Sequence, residues 1–486
     1  MCLGRVFIAS VVWLSLASLC AGQERTGAAQ QPTDPAQAPQ TPAQPPPGQA
    51  PLRPGQEVAG QEPEGPALDV GPAKLRLGGY LGLTGIYRST NSGGGPGTSF
   101  GSIPYSDALD GNVSQARLTA ESSRLSIRVD ADFPEARFHR LSGYFEMDFS
   151  GTAPGNVAVT STSAGFRLRN AFAEVQYGES LFISAGQAFS LMTPVKSQVS
   201  MWPSDLDLTQ AVDTNYVAGL VWGRFPQFRL TWHPSKTLNW AMSVENPEQQ
   251  IGNAVVTLPK CCASDIEAQY NTGNDQLNVP NLLPDFVTRA AFNPNKAFHV
   301  DAGGVLRVFR HTVAPYANSF KNLGGGLSVN IGVKPTDTTR LILQSAFGSG
   351  LGRYIGGLVP DVAFHRDGSI SPIRTANWVG GVEQKVSSST SLAAYYSGVS
   401  IENNFEPDVD GTFIGYGFPG SPNSNNRKIE ELTATLSSLL VTTTNRGSAQ
   451  FAVQLSWLKR EPWFPESGPE SAKEFLFFAQ LRYNLP

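Results

Sequence analysis

From about residue 73 to the end of the chain, apolar and polar side chains alternate with a period of two. In the segment 75–87, leucine, glycine and tyrosine occupy the odd positions, while the even positions are mostly polar or small. The same alternation recurs in the segments 124–131, 140–149, 228–232, 238–245 and 451–457. A period of two is that of a β-strand whose two faces meet different surroundings. No comparably long segment shows helical spacing, so we predict an all-β fold for this region.

The links between these segments alternate between short polar turns and long loops rich in glycine, serine and asparagine. Short links are expected near residues 133–135, 178–179, 233–236, 293–296, 335–337, 386–390 and 442–447. Long links are expected near residues 89–115, 151–165, 192–223, 246–284, 312–318, 348–375, 402–427 and 461–472. Outer-membrane barrels have an even strand count, short turns at one end and long loops at the other. We therefore predict a transmembrane antiparallel β-barrel of about 16 strands over residues 73–486.

The last strand carries a row of large apolar residues on one face. Phe475, Phe477, Leu481 and Tyr483 share this face, and polar residues alternate with the later members of the row. A terminal strand of this kind closes a barrel, although the chain ends in Leu-Pro where an aromatic residue is usual. A secreted β-sandwich or β-helix would also alternate, but neither explains the rhythm of short and long links.

The first 72 residues are predicted to lie outside the barrel. Residues 1–22 combine Arg5, an apolar run and small residues before Gln23, which is the pattern of a signal peptide. Residues 23–72 hold many prolines and no aromatic residue, so we predict a disordered linker in the periplasm. A contact of this linker with the cell wall is an open alternative, because nothing in the residues identifies a partner.

Composition removes several classes of function. Charged residues make up 16% of the chain and the formal net charge is −4, which gives nucleic acid no basic surface to bind. The five histidines are scattered and match no metal-binding spacing, so we predict no cofactor and no enzymatic activity. Cys261 and Cys262 are adjacent in a long loop and are expected to form a local disulfide, or to remain two thiols that tie this loop.

Several short motifs are similar to those of a known family. They are Ser123-Arg124-Leu125, Gly143-Tyr144-Phe145-Glu146-Met147-Asp148-Phe149, Arg167-Leu168-Arg169-Asn170-Ala171-Phe172, Gly186-Gln187, Val244-Glu245-Asn246-Pro247, Gly350-Leu351-Gly352-Arg353-Tyr354-Ile355 and Trp457-Leu458-Lys459-Arg460. Together they resemble the DcaP-like (dicarboxylate-type) trimeric outer-membrane porins. The resemblance implies a homotrimer of 16-stranded barrels that passes small, preferentially anionic solutes. Members often carry a periplasmic coiled coil before the barrel, and here a proline-rich segment takes that place.

Candidate selectivity residues follow from strand parity and from the loop after the fifth strand, which trimeric porins fold into the lumen. The inward-facing candidates are Arg76, Arg124, Arg128, Arg140, Arg229, Arg307, Arg482, Glu146 and Asp148. The candidate constriction loop carries Lys196, Asp205, Asp207 and Asp213. Charged groups facing each other across a pore set its ion preference, so we expect modest anion selectivity. The alternative is a lattice of salt bridges that stiffens the wall. Arg167 and Arg169 share parity with outward residues, so only a bulge would turn them inward.

The sequence therefore predicts a porin in the outer membrane of a Gram-negative bacterium, surrounded by lipid and open to passive diffusion of small hydrophilic solutes. Two rival functions stay open at this point. One is a barrel enzyme of the lipase or protease type, and the other is a structural or adhesion barrel.

Overall fold

The computed structural model describes residues 67–486 with short gaps. The gaps are 134–135, 153–157, 160–163, 253–254, 273–278, 317, 357, 444–445 and 465–467. The predicted signal peptide (1–22) and most of the predicted linker (23–72) lie outside the described residues.

Sixteen antiparallel strands form one closed barrel, as the alternation predicts. In chain order the strands are β1 (Ala73–Arg88), β2 (Gln115–Thr119 and Arg124–Asp132), β3 (Phe138–Asp148), β4 (Arg167–Tyr177), β5 (Leu181–Phe189), β6 (Arg224–Trp232), β7 (Leu238–Glu245), β8 (Asp285–Asn295), β9 (Phe298–Val313), β10 (Asn318–Thr336), β11 (Thr339–Ser349), β12 (Arg374–Lys385), β13 (Thr390–Ile401), β14 (Asn426–Thr442), β15 (Ser448–Pro462) and β16 (Ala472–Asn484). Each strand pairs with the next, and β16 returns to pair with β1 from Tyr80 to Arg88. Closure leaves no long edge of unpaired backbone groups.

Only short elements lie in the long links. They are the strand pairs Val362–Phe364 with Ile370–Pro372 and Asn404–Pro407 with Phe413–Tyr416, the 3-10 turns Phe100–Ser102, Leu109–Asn112, Pro203–Asp205 and Gly352–Tyr354, and the α-helix Ala263–Glu267. Among the described residues, no helix is long and apolar enough to cross a membrane.

The two faces of each strand differ as the sequence predicts. On β16, Phe475, Phe477 and Leu481 point outward and are 37–54% exposed, whereas Leu476 and Phe478 point inward and are fully buried. Similar outward rows of leucine and aromatic residues occur on the neighbouring strands. A continuous apolar exterior of this kind matches hydrocarbon rather than water.

The inward face changes character along the barrel axis. At the end that carries the long loops, inward residues such as Ile86, Ile429 and Phe478 are apolar and fully buried. They pack in one hydrophobic cluster with loop residues, among them Phe100 and Ile266. The long loops therefore supply the apolar core of the molecule.

A short strand precedes the predicted start of the barrel at residue 73. A strand at Ala67–Val70 pairs with the first residues of β1, with Ala67 opposite Arg76 and Val70 opposite Ala73. β16 pairs with β1 only from Tyr80 onward, so this hairpin covers part of the β1 edge that β16 leaves unpaired. Proline and glycine in 60–72 concealed the strand, because both residues are rare in strand interiors.

The outward face of β1 provides a test of which face of the strand meets lipid. Leu81 lies near the middle of β1 and is 51% exposed. Leu81→Arg should lower the free energy of unfolding in phospholipid vesicles by about 2–4 kcal/mol, because a charge at mid-depth must enter hydrocarbon. Leu81→Met is the matched control and should change this free energy by less than about 1 kcal/mol. Equal stability of the two variants would contradict an outward, lipid-facing Leu81.

Candidate functional site

The long segment between β5 and β6, residues 190–223, makes hydrogen bonds to inward-facing side chains on the far side of the barrel. The backbone N–H of Gln210 donates to Tyr395 Oη at 2.8 Å. Gln454 Oε1 accepts from the backbone N–H of Val212 at 2.6 Å and of Asp213 at 2.9 Å. These side chains belong to β13 and β15, whereas the segment starts at β5.

Three further contacts extend this set of bonds along the wall. Glu431 Oε2 on β14 accepts from the backbone N–H of Ala218 at 2.7 Å. Gln344 Nε2 on β11 donates to the carbonyl of Asp207 at 2.8 Å. The Asp207 carboxylate also forms an ion pair with Arg340 on β11. Polar inward side chains thus satisfy backbone groups that the loop cannot pair within itself.

Lys196 and Asp205, both predicted for the constriction, bond within the loop instead. The buried Asp205 carboxylate accepts from the backbone N–H groups of Gln198 at 2.8 Å and Ser200 at 3.0 Å. Burial raises the pKa of Asp205, and these hydrogen bonds oppose that rise. Lys196 Nζ donates to the carbonyl of Ser204 at 3.3 Å.

Asp213 lies where the loop meets another long link. Its carboxylate accepts from the backbone N–H groups of Thr98 at 3.2 Å and of Asn215 at 2.8 Å. Burial raises the pKa of Asp213, while the hydrogen bonds from Thr98 and Asn215 and the charge of Arg88 lower it. Asp213 is thus fixed by backbone donors, and its carboxylate borders a cavity between the loop and the wall.

That cavity brings together charged groups from strands that are distant in sequence. Its lining includes the candidates Arg124, Arg482, Glu146 and Asp213, together with Arg169 and Tyr80. The remaining lining comes from Phe189 of β5, from loop residues 203–216, and from residues of β13 to β16, and it mixes apolar side chains such as Leu208 with polar ones such as Gln450. Three arginines therefore face two carboxylates across this space.

Arg124 and Arg482 have no carboxylate within ion-pair distance among the residues that the structure describes. Their guanidinium groups lie over the ring of Tyr80, at 5.7 Å and 5.2 Å from its centroid. Arg482 also donates to the side-chain oxygens of Gln450, at 2.8 Å, and Gln480, at 3.2 Å. A neutral aromatic ring and neutral amides hold both cations without cancelling their charge.

Arg169 reaches the same cavity through a β-bulge. The register between β3 and β4 shifts there, because Glu146 pairs with Asn170 and Met147 pairs with Leu168. The extra residue, Arg169, is 2% exposed and donates to Glu146 at 2.6 Å and to Asp148 at 2.9 Å. The bulge that strand parity required for an inward Arg169 is present. Through it, Arg169 neutralises the candidate carboxylates Glu146 and Asp148.

The other candidate arginines are held by acids or by backbone carbonyls. Arg76 and Arg128 both bind Asp130, at 3.0 Å and 2.7 Å. The remaining contacts join Arg140 to Asp132, Arg307 to Asp285 and Asp361, Arg167 to Asp148, and Arg229 to the carbonyls of Phe189 and Ser200. The arginines paired with acids fit the alternative of a salt-bridge lattice in the wall. Arg229 instead holds the loop through the carbonyl of Ser200.

Two smaller groups of side chains are not part of the cavity lining. The sulfur atoms of Cys261 and Cys262 are bonded to each other, and Cys262 packs in the hydrophobic cluster of the long loops. His299 and Asp301 bond to each other at 2.7 Å, and Asp301 also binds Arg289 and Asn330 on the wall. Within the described ranges, no group of three or more His, Cys, Asp or Glu side chains could hold a metal ion.

One cation near this site escaped the sequence analysis. Arg224 begins β6 directly after the loop, with its guanidinium 5.5 Å from the ring centroid of Phe189. No carboxylate of the described chain pairs with it. Arg224 lies at the junction of a loop and a strand, where no alternation of apolar and polar residues precedes it. The sequence pattern therefore could not assign its side chain to the inner or the outer face.

The barrel is similar to solved outer-membrane channels. The outer membrane channel DcaP of Acinetobacter baumannii superposes with a TM-score of 0.60 at 15% identity, over 85% of this chain and 97% of that chain. The chain has the porin fold. An anion-selective porin from Comamonas acidovorans matches with a TM-score of 0.49 at 11% identity, over 85% of this chain and 100% of that one.

The resemblance predicted from short motifs is thus confirmed at the level of the fold. No family model matches the chain, and no curated protein sequence matches it.

The Asp205 contacts predict how the loop responds to a mutation. Asp205→Ala leaves buried N–H groups at residues 197–200 without an acceptor, which costs about 1–3 kcal/mol for each group. Local opening should increase, and trypsin should cleave after Lys196 about tenfold faster or more. Mass spectrometry of the digest measures this rate. The control is Asp337→Ala in an exposed short turn, and equal cleavage rates in the two variants would contradict the structural role of Asp205.

Proposed function

We propose that the chain is a porin of the Gram-negative outer membrane that allows passive diffusion of small hydrophilic, preferentially anionic solutes such as dicarboxylates. The observation that carries this proposal is the pair of arginines, Arg124 and Arg482, that lines a lumenal cavity without a carboxylate partner in the described chain. The porin fold and the apolar exterior support the location.

The segment 190–223 acts as the constriction in this proposal. Its bonds to Tyr395, Glu431 and Gln454 run from the end of β5 to strands on the opposite wall, which supports a narrowed path. Water and solute pass through the space that remains between the loop and the arginine-bearing wall. Lys196, Asp205 and Asp207 keep the loop in place, while Asp213 and the arginines meet the solute.

The charged side chains of the cavity lining determine the preference for anions over cations. The cavity lining carries Arg124, Arg169 and Arg482 against Glu146 and Asp213, and the pairing of Arg169 with Glu146 leaves two cations against one acid. A charge pair at about 4 Å is worth roughly 1–4 kcal/mol between the dielectric of water and that of a protein surface. This energy biases entry toward anions without trapping them in the lumen.

The proposal also covers the N-terminal segments and the assembly. We assign residues 1–22 to an export signal, 23–72 to a periplasmic linker whose strand Ala67–Val70 pairs with β1, and the barrel to the membrane, with three copies forming a homotrimer. The channel has no catalytic function and requires no cofactor. An enzymatic barrel and an adhesion barrel are rivals that a conductance measurement separates from a porin. Contact of the linker with the cell wall is a separate alternative that is compatible with a porin.

Selectivity tests the two arginines. Arg124→Gln with Arg482→Gln removes the two cavity-lining cations that have no carboxylate partner in the described chain, so the anion/cation permeability ratio should fall severalfold. The ratio is measured from the reversal potential in planar bilayers under a salt gradient. Arg137→Gln with Arg446→Gln is the matched control, since it removes the same charge from exposed short turns outside the lumen.

Each outcome of this experiment is informative. A fall in the double lumenal variant alone supports anion selectivity by these residues. An equal change in the control, or no change in either, overturns their role. Folded protein that never conducts overturns the porin assignment.

Conductance tests the constriction separately. Gln454→Leu keeps the size of the side chain but removes the acceptor for two backbone N–H groups of the loop. The loop should leave the wall more often, so single-channel conductance should become noisier and rise on average. Gln384→Leu on β12 is the control, because among the described residues its side chain bonds to Thr339 and Lys385 and not to the loop. A trace of Gln454→Leu identical to the control would contradict the anchoring of the loop.

A further inference from the structure

A groove runs along the outer face of the barrel over strands β6 to β10. Its walls are outward apolar side chains, of which Phe228, Leu306 and Leu327 are 50–53% exposed. Nearly all of its lining is hydrocarbon. Of its two polar lining residues, Thr288 faces outward, whereas Ser243 is buried and its hydroxyl donates to Glu245. The rest of the outer face is also apolar, but here the surface is concave.

Two outward glycines form the floor of this groove. Gly304 on β9 lies opposite Leu327, and Gly325 on β10 lies opposite Leu306. A Cβ atom added at Gly304 would meet only Leu327 Cδ2 at 3.2 Å and a backbone oxygen at 3.7 Å, so the floor is open to the outside. At Gly325 an added Cβ atom would meet the backbone oxygen of Val305 at 2.4 Å, so Gly304 alone opens outward. The missing side chain at Gly304 makes room for a chain-like apolar ligand.

A pair of cations lies on the same two strands, nearer the long loops. Arg310 on β9 and Lys321 on β10 are directly opposite each other, and both share the outward parity of Leu306 and Leu323. Leu323 is 62% exposed and continues the apolar surface between the groove and the cations. Thr312 and Ser319 form the next cross-strand pair and add two hydroxyl groups 3.4 Å apart.

This cation pair lacks a counter-charge. No carboxylate of the described residues lies within ion-pair distance of Arg310 or Lys321. Like charges directly opposite on antiparallel strands are destabilising, so an anion bound between them would relieve the repulsion. One guanidinium nitrogen of Arg310 donates to the carbonyl of Pro280 at 3.0 Å, which fixes the side chain, and its Nε has no partner among the described residues.

Three other outward cations at the same end of the barrel are paired. Arg374 lies 3.7 Å from Glu402, and Arg427 lies 2.6 Å from Glu461. Lys459 also binds Glu461. The outer face of β12 to β15 therefore carries neutralised pairs above its apolar band, in contrast to the two cations above the groove.

We propose that the groove and the pair Arg310–Lys321 form a binding site for one lipid with a phosphate-bearing, anionic headgroup. The acyl chain lies on Gly304 and Gly325 between Leu306 and Leu327. The phosphate lies between Arg310 and Lys321, where Thr312 and Ser319 donate further hydrogen bonds. This inference rests on the proposed function in one respect, since it requires the outer face to meet lipid.

Native mass spectrometry of the full chain in detergent tests the site. The probes are dioleoyl phosphatidic acid, zwitterionic dioleoyl phosphatidylcholine, and glycerol 3-phosphate, which has the headgroup without acyl chains. Arg310→Gln with Lys321→Gln should weaken phosphatidic acid binding by about 30-fold, since each surface cation contributes about 1 kcal/mol toward an anionic lipid. Lys459→Gln with Lys473→Gln is the matched control, because it removes another directly opposed outward pair.

A second variant tests the groove. Gly304→Val fills the floor and should weaken both dioleoyl lipids while leaving the weak binding of glycerol 3-phosphate unchanged. Equal losses in the two double variants would overturn the site, as would undiminished phosphatidic acid binding in Arg310→Gln with Lys321→Gln. Glycerol 3-phosphate binding as tight as that of the lipid would overturn the part assigned to the groove. A change in oligomeric mass with unchanged lipid binding would assign the surface to a contact between copies and overturn the proposal.

Conductance of the same preparations separates the two proposals. Variants that conduct like the wild type but bind lipid no more weakly than it does overturn the lipid site alone. Specific lipid binding by a barrel that never conducts overturns the porin function alone.

Discussion

The pairing of β1 with β16 is the constraint on which the rest of the structure depends. Backbone N–H and C=O groups have no water to bind in hydrocarbon, so a sheet can face lipid only when its two edges pair with each other. Tyr80 to Arg88 on β1 meet Leu476 to Asn484 on β16, and the short strand Ala67–Val70 extends the pairing beyond the end of β16. Once the sheet is closed, every residue lies either outside or inside, and the alternation of side chains acquires a physical meaning.

Closure also creates an interior whose contents must be satisfied. A loop of more than thirty residues between β5 and β6 brings many backbone groups with it and almost no secondary structure of its own. Inward Tyr395, Glu431 and Gln454 accept hydrogen bonds from this loop. Asp205 does the same from within the loop. The polar side chains of the inner wall therefore serve as hydrogen-bond partners for the loop backbone as well as for water.

The same interior sorts the arginines by their neighbours. A buried cation is costly unless a carboxylate or several acceptors surround it, so most lumenal arginines are paired. Arg76 and Arg128 share Asp130, and Arg169 bridges Glu146 and Asp148. Arg124 and Arg482 border a cavity and need less compensation, because solvent can reach them. Accessibility thus determines which of these arginines stay without a carboxylate partner in the described chain.

The sequence by itself determined the fold class, the strand count, the positions of the turns and the outward rows, because side-chain alternation and turn composition are local properties. It also identified Arg124, Arg482 and Glu146 as inward, since parity needs no knowledge of distant strands. Only the tertiary structure decided which of these charges are free. The bulge at Arg169 depends on the register between β3 and β4, and the contact of Asp207 with Arg340 depends on where a long loop meets the wall of β11. Neither can be read from spacing, because both are set by residues that closure brings together across the barrel.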